Sequence, residues 1–191
     1  VIVHVGEHGR GALTAFDSDS GDVVWTWDGD GPGYGSPIAV DFEGVRHVVT
    51  FTEEKLIGVS AEDGELLWER PYTTQSTQNT ITPLVYENTL VVSGLRNGVQ
   101  RITVQRQGDR WVAENVWDAQ QVALYMSNAV IADNVLFGMS SLNSGQYFGV
   151  DLETGRTLWT SDPRQGTNAA IVLAGGFLLI LEDDAELVVV R

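Results

Sequence analysis

The chain has 191 residues, 26 Asp and Glu against 11 Lys and Arg, and a formal net charge of −15. With 43% hydrophobic residues it can bury a sizeable core, which excludes global disorder, and its negative field disfavours nucleic acid and anionic membrane surfaces as partners. Cysteine is absent, so disulfides and thiolate metal sites are excluded.

The chain opens on Val1-Ile-Val-His-Val5, which reads as a strand, with neither an initiator methionine nor a signal peptide. A piece of a longer polypeptide is the expectation. Short runs rich in Val, Ile, Leu and aromatics follow, bounded by Gly, Asp, Asn and Pro, and no helical periodicity is sustained over a dozen residues. The second copy of a four-strand unit is placed at 36–40, 46–51, 55–60 and 65–69. The third is placed at 82–86, 90–93, 100–104 and 111–117, and the fourth at 127–131, 135–138, 147–150 and 157–159. A fifth begins at 167–171 and stops after 186–190. The first copy lacks its first strand and the last lacks its fourth. The longest apolar run, near 169–181, is broken by Gly175-Gly176 and is too short to span a membrane as a helix.

These units carry one repeated phrase. Asp17-Ser-Asp-Ser-Gly21-Asp-Val-Val-Trp25 recurs as Ser60-Ala-Glu-Asp-Gly64-Glu-Leu-Leu-Trp68 and as Asp151-Leu-Glu-Thr-Gly155-Arg-Thr-Leu-Trp159. An eroded copy runs from Gln107-Gly108 through Trp111 to Trp117. The tryptophans recur roughly every 45 residues, the period of a repeat architecture. The glycine falls where a tight hairpin needs φ > 0. The tryptophan projects from the following strand as an apolar plate able to cover the seam between neighbouring sheets.

The pattern Ala/Gly-x-Asp-x-x-Thr/Ser-Gly-x-x-x-Trp, here Ala15 to Trp25, Gly58 to Trp68 and Gly149 to Trp159, resembles the repeat of the pyrroloquinoline-quinone (PQQ)-like β-propeller family, with BamB-like and quinoprotein-like members. The resemblance implies an all-β fold of four-stranded antiparallel blades. The expectation is a single partial propeller over 1–191, with blades at 31–71, 72–118 and 119–162 and incomplete ones at 1–30 and 163–191. The third copy departs, because Ile102-Thr-Val104 lacks the Asp and residues 105–109 lengthen its hairpin. A WD-repeat propeller is the rival fold. Trp27-Asp28 and Trp117-Asp118 fit its signature, but Trp68-Glu69 and Trp159-Thr160 break it.

The family's dehydrogenases stack their quinone between a tryptophan and a disulfide of adjacent cysteines, with calcium held by oxygen ligands. Without cysteine this chain cannot supply that platform, so no cofactor is expected; PQQ with calcium belongs only to the alternative of a quinoprotein alcohol dehydrogenase fragment. Other members are assembly scaffolds or extracellular sensor domains. The favoured expectation is a non-catalytic scaffold that binds a protein or ligand in the bacterial periplasm or extracellular space. Its partners would be another protein or missing blades, with self-association through open blade edges as a further route.

Other motifs are weaker. His4-Val-Gly-Glu7-His8 matches a metalloprotease string, but that chemistry needs a helix and these residues spell a strand and a turn. Asp17, Asp19 and Asp22, then Asp28 and Asp30, then Glu182-Asp-Asp184, form acidic turns without a complete calcium loop. Gly29 to Gly35 precedes a strand, where a phosphate cradle would precede a helix. His47 is expected to be a packed or edge side chain in mid-strand. Recognition is expected at the loops from one unit's fourth strand to the next unit's first and at the second-to-third-strand turns. Tyr34, Tyr72, Gln78, Asn79, Tyr125, Met126 and Arg164 lie on the former, and Glu53, Arg96 and Asn143 on the latter.

Overall fold

The computed structural model describes all of residues 1–191. Its strands form five antiparallel sheets in chain order. The first sheet is β1 (Ile2–Glu7), β2 (Arg10–Phe16) and β3 (Val23–Gly29). The second is β4 (Ile38–Phe42), β5 (Val45–Phe51), β6 (Lys55–Ser60) and β7 (Leu66–Pro71). The third is β8 (Leu84–Tyr86), β9 (Thr89–Ser93), β10 (Val99–Gln107) and β11 (Arg110–Ala119). The fourth is β12 (Val130–Ala132), β13 (Val135–Ser140), β14 (Gln146–Asp151) and β15 (Thr157–Thr160). The fifth is β16 (Ala169–Ala174), β17 (Phe177–Glu182) and β18 (Leu187–Val190). The fold is therefore all-β, a partial β-propeller with three full blades flanked by two of three strands, as the repeat predicts. The two 3₁₀ turns, Gln75–Thr77 and Leu142–Ser144, lie in loops.

By its internal contacts the chain divides into two compact units. One comprises Val1–Leu90 with Ile102–Glu114, the other Val91–Arg101 with Asn115–Arg191. In the first, Leu13, Ala15, Trp25, Val48, Ile57 and Val59 form one apolar cluster. In the second, Met139, Ala169 and Ile180 form another, flanked by Tyr147, Ile171, Leu178 and Val188. Strand alternation supplies these faces, since residues two apart share one side of a sheet.

The repeated phrase has a local cause at each position. Asp17 and Asp151 accept main-chain N–H groups from their own turns: Asp19 and Ser20 at 3.0 and 2.8 Å, and Thr154 at 2.8 Å. Those bonds hold both carboxyls below the usual carboxylate range. Gly21, Gly64 and Gly155 have φ of 77°, 76° and 73°, left-handed values that glycine adopts without a Cβ penalty. The small residue two positions before the Asp or Ser faces the tryptophan across the hairpin, as in the pairs Gly58 with Trp68 and Gly149 with Trp159. A Cβ on Gly58 would lie 2.3 Å from the Trp68 ring, so the indole lies flat over bare backbone.

The third copy's hairpin is lengthened, as expected, and the length lies in its strands. Its extra residues extend both strands, leaving Gly108-Asp109 as a tight turn. The extended tip brings Trp111 edge-on to His47, with ring centroids 4.5 Å apart, and Arg106 lies over the Trp111 ring at 4.9 Å.

Candidate functional site

The loops expected to carry recognition fall in both units. In the first, residues 28–35 and 71–81 meet the Thr52–Lys55 turn. Glu53 N–H donates to the Gly31 carbonyl at 2.9 Å, and Tyr72 N–H to that of Glu54 at 2.7 Å. Asn79 is the hub. Its Nδ2 lies 2.8, 3.1 and 3.0 Å from the carbonyl oxygens of Thr52, Glu53 and Tyr72, and its Oδ1 accepts from Thr74 Oγ1 at 3.1 Å. Asn79 and Tyr72 are buried, so the structure places both inside the loop cluster. Glu53 accepts from His8 Nδ1 at 3.0 Å and from the Gly9 N–H at 2.7 Å, which lowers its carboxyl and raises the His8 imidazole. Gln78 is half-buried. Tyr34 is 76% exposed and presents its ring outward.

The glycine-rich stretch leaves little main chain for an anion. Gly33 N–H donates to the Phe51 carbonyl at 3.1 Å and Tyr34 N–H to that of Asn79 at 2.9 Å. Asp30, at its start, accepts from Thr52 Oγ1 and from the Glu54 N–H at 2.5 and 2.9 Å. The two histidines of the metalloprotease string separate, as its strand setting predicts. His4 Nε2 lies 3.2 Å from the Asp30 carbonyl, burial lowering its pKa, while exposed His8 turns to Glu53.

In the second unit the 119–126 and 161–166 loops leave a cleft. Leu95, Tyr125, Ser141, Ser144, Arg164 and Thr167 line a volume of about 490 Å³. Arg164 N–H donates to the Asn143 carbonyl at 3.3 Å and Gln165 N–H to that of Gly145 at 3.1 Å, which fixes the cleft's rim. Asn143 Nδ2 donates to Gln146 Oε1 at 2.6 Å. Arg96, Asn143, Ser144 and Arg164 all have positive φ, from 54° to 65°, a conformation that costs a side-chain-bearing residue of order 1–2 kcal/mol. Arg96 and Arg164 are exposed and make no ion pair. Met126 is 58% exposed and lines a neighbouring hollow with Asn128 and Asn168. Sequence reasoning did not separate the cleft from the knitted cluster, because both are written in polar loop residues.

Among the acidic turns, Glu182, Asp184 and Glu186 bring carboxylate oxygens within 4.8 Å of one another. Tyr147 Oη donates to Glu182 at 2.5 Å; burial, then this carboxylate, raises the phenol's pKa.

The sequence over residues 1–161 matches the family model described as outer membrane protein assembly factor BamB. The chain belongs to this BamB family. Among solved structures it is similar to BamB from Moraxella catarrhalis, with a TM-score of 0.70 at 20% identity, over 98% of this chain and 57% of that one. It is also similar to the computationally designed protein Ika4, with a TM-score of 0.60 at 12% identity, over 88% of this chain and 97% of that one. For the designed protein Ika8 the TM-score is 0.59 at 10% identity, over 100% and 58%. At these identities the likeness shows the fold alone. The chain spans about 57% of the length of the Moraxella BamB it matches. No curated protein matches its sequence. No helix is long and apolar enough to cross a membrane.

Proposed function

We propose that this chain is part of a non-catalytic scaffold of the bacterial envelope that holds a protein partner on its loop face. Family membership supports the class of function and the compartment. The observation that carries the surface is the cleft of about 490 Å³ bordered by Tyr125 and Arg164, whose rim is held in left-handed backbone at Asn143, Ser144 and Arg164. Such conformations persist only where the surroundings over-determine them, and they gather at binding sites. An aromatic ring, hydroxyls and a guanidinium converge there, the chemistry of recognition surfaces. Arg96 and Arg164 make no ion pair in a chain of net charge −15, so each can donate hydrogen bonds to a partner's carboxylate or main-chain carbonyl. Met126, exposed beside the cleft in the same unit, extends the contact surface. In the first unit, buried Tyr72 and Asn79 stiffen their own loop cluster. This reading requires no cofactor.

The test is site-specific photocrosslinking in the full-length protein in its own cells. A benzophenone side chain would replace Met126 or Arg164, with Glu87 and Asn134, on the strand-one-to-strand-two turns, as controls. The reading predicts one discrete adduct, to the same protein, from Met126 and Arg164 and none from the controls. Equal adducts from both sets, or none from the loop positions, overturns it.

A further inference from the structure

The repeat tryptophans end on two kinds of acceptor. Trp25 Nε1 donates to the Ala61 carbonyl at 3.0 Å and Trp117 Nε1 to the Leu152 carbonyl at 2.9 Å. Trp68 Nε1 donates at 3.0 Å to a group that can titrate, Nδ1 of His47. An indole nitrogen only donates, so Nδ1 is the bare acceptor and the neutral ring carries its proton on Nε2. That Nε2 is buried and meets no hydrogen-bond partner. The imidazole is 0% exposed. It stands perpendicular to Phe42, with ring centroids 5.1 Å apart, and to Trp111 at 4.5 Å.

The covers of this ring differ in origin. Phe42 and Trp68 lie on β4 and β7, in the same hydrogen-bonded sheet as His47 on β5. Trp111 comes from β11 of the third sheet, beside the Gly108-Asp109 turn. Two contacts hold that tip: Arg106 lies over the Trp111 ring, and the Arg106 main-chain N–H donates to Glu43 Oε1 at 3.2 Å. Trp111 can leave the imidazole without breaking a strand pair of either sheet. A proton added at Nδ1 would face the Trp68 N–H, donor against donor, and leave the cation two N–H groups without an acceptor. The charges around the ring do not relieve it. Arg106 on β10 repels the cation, and Asp41 on β4 attracts it but is already gripped by Arg46 of β5 at 2.9 and 3.0 Å. β6 sets uncharged Ser60 opposite His47, and the Lys55–Glu69 pair of β6 and β7 is closed on itself. β11 brings Arg110 next to Trp111 in sequence.

We propose that His47 is an acid-operated latch on the β10–β11 tip: the neutral ring keeps Trp111 seated, and the protonated ring releases it, uncovering the face formed by Phe42 and His47. The proton passes from solvent to Nδ1, and the hydrogen bond from Trp68 breaks as it arrives. Seated, the ring is held by burial near a pKa of about 4; released into water it returns toward 6.5. Seating is therefore at full strength above pH 6.5 and weakens as pH falls toward 4, by on the order of a few hundredfold. The inference is independent of what the loop face binds.

The experiment is an NMR titration of the chain from about pH 7.5 to 3.5. It reads the His47 ring shifts, the NOEs between the Trp111 and His47 rings, and amide exchange at residues 105–111 against that of Val48 and Ile57, corrected for the intrinsic effect of pH. As His47 takes its proton, the NOEs should vanish and exchange at the tip should quicken at least tenfold, with one shared midpoint below pH 6.5, while Val48 and Ile57 stay protected. His47→Gln offers Trp68 a neutral acceptor that takes no proton, and should keep the tip seated across the range. Arg106→Gln removes the like charge and should move release to higher pH, a test that stands even where His47→Gln does not fold. A Trp111 that stays seated on a protonated His47 overturns the proposal, as does release in His47→Gln at the same pH. Loss of protection at Val48 and Ile57 along with the tip also overturns it, because the sheet itself then unfolds and no latch exists.

Discussion

Trp25 and Trp159 occupy the same place in the same phrase, but their surroundings differ. Trp25 is 7% exposed and hydrogen-bonded to Ala61, whereas Trp159 is 44% exposed and donates to nothing. Each lies over a small residue of its own sheet, Ala15 or Gly149, its cross-strand partner. The difference thus comes from the neighbouring hairpin, and a repeat tryptophan is half of a joint whose other half is written some 35 residues later. Trp68 is an intermediate case. The third copy has lost its Asp, and Trp68 Nε1 donates instead to His47 Nδ1 at 3.0 Å, inside its own sheet. Trp111 from the lengthened hairpin closes over that imidazole. The erosion that looked in sequence like a failed repeat is a substitute joint.

The comparison can be broken most severely at the turn glycine. Gly64→Ala should destabilise by about 3 kcal/mol, adding a clash with the Trp25 ring to the cost of a left-handed alanine. Gly21 has the same φ but nothing within 4 Å of its virtual Cβ, so Gly21→Ala should cost only about 1 kcal/mol. Urea unfolding of the two variants measures the difference, and equal losses would mean the glycine serves the turn alone.

A smaller effect follows from the substitute joint. Burial holds the His47 imidazole near a pKa of about 4, and Trp68 donates to its bare Nδ1. A histidine whose pKa is lowered by folding binds its proton more tightly when unfolded. Its contribution to stability is therefore full above pH 6.5 and declines as pH falls toward 4. The expected loss across that window is on the order of 2 kcal/mol. An NMR titration of the ring should find its midpoint near 4, and one near 6.5 would mean the imidazole is not sealed.

The fold was legible because its determinants are local. Residues 55–60 were placed as a strand and form β6 with those bounds, since Lys55 to Ser60 is apolar between two turn signals. The lengthened third hairpin was expected, but its third strand was ended at 104 because Gln105 to Gln107 are polar, and they extend β10. Nothing in their composition announces that Trp111 will land on His47. The candidate site was less legible still. Asn79 and Tyr125 are both polar loop residues in sequence, but Asn79 is buried where carbonyls from the Thr52–Lys55 turn and from its own loop converge, and Tyr125 borders a cleft. That distinction is set by contacts between loops far apart in the chain.

The central claim is that each repeat tryptophan is finished by a partner outside its own strand and that Trp159 lacks one. Indole N–H exchange of the chain, resolved by NMR, tests it most directly. The account predicts slow exchange for Trp25, Trp68 and Trp117 and fast exchange for Trp159. Trp159 protected as well as Trp25, or Trp25 exchanging as fast as Trp159, would contradict it.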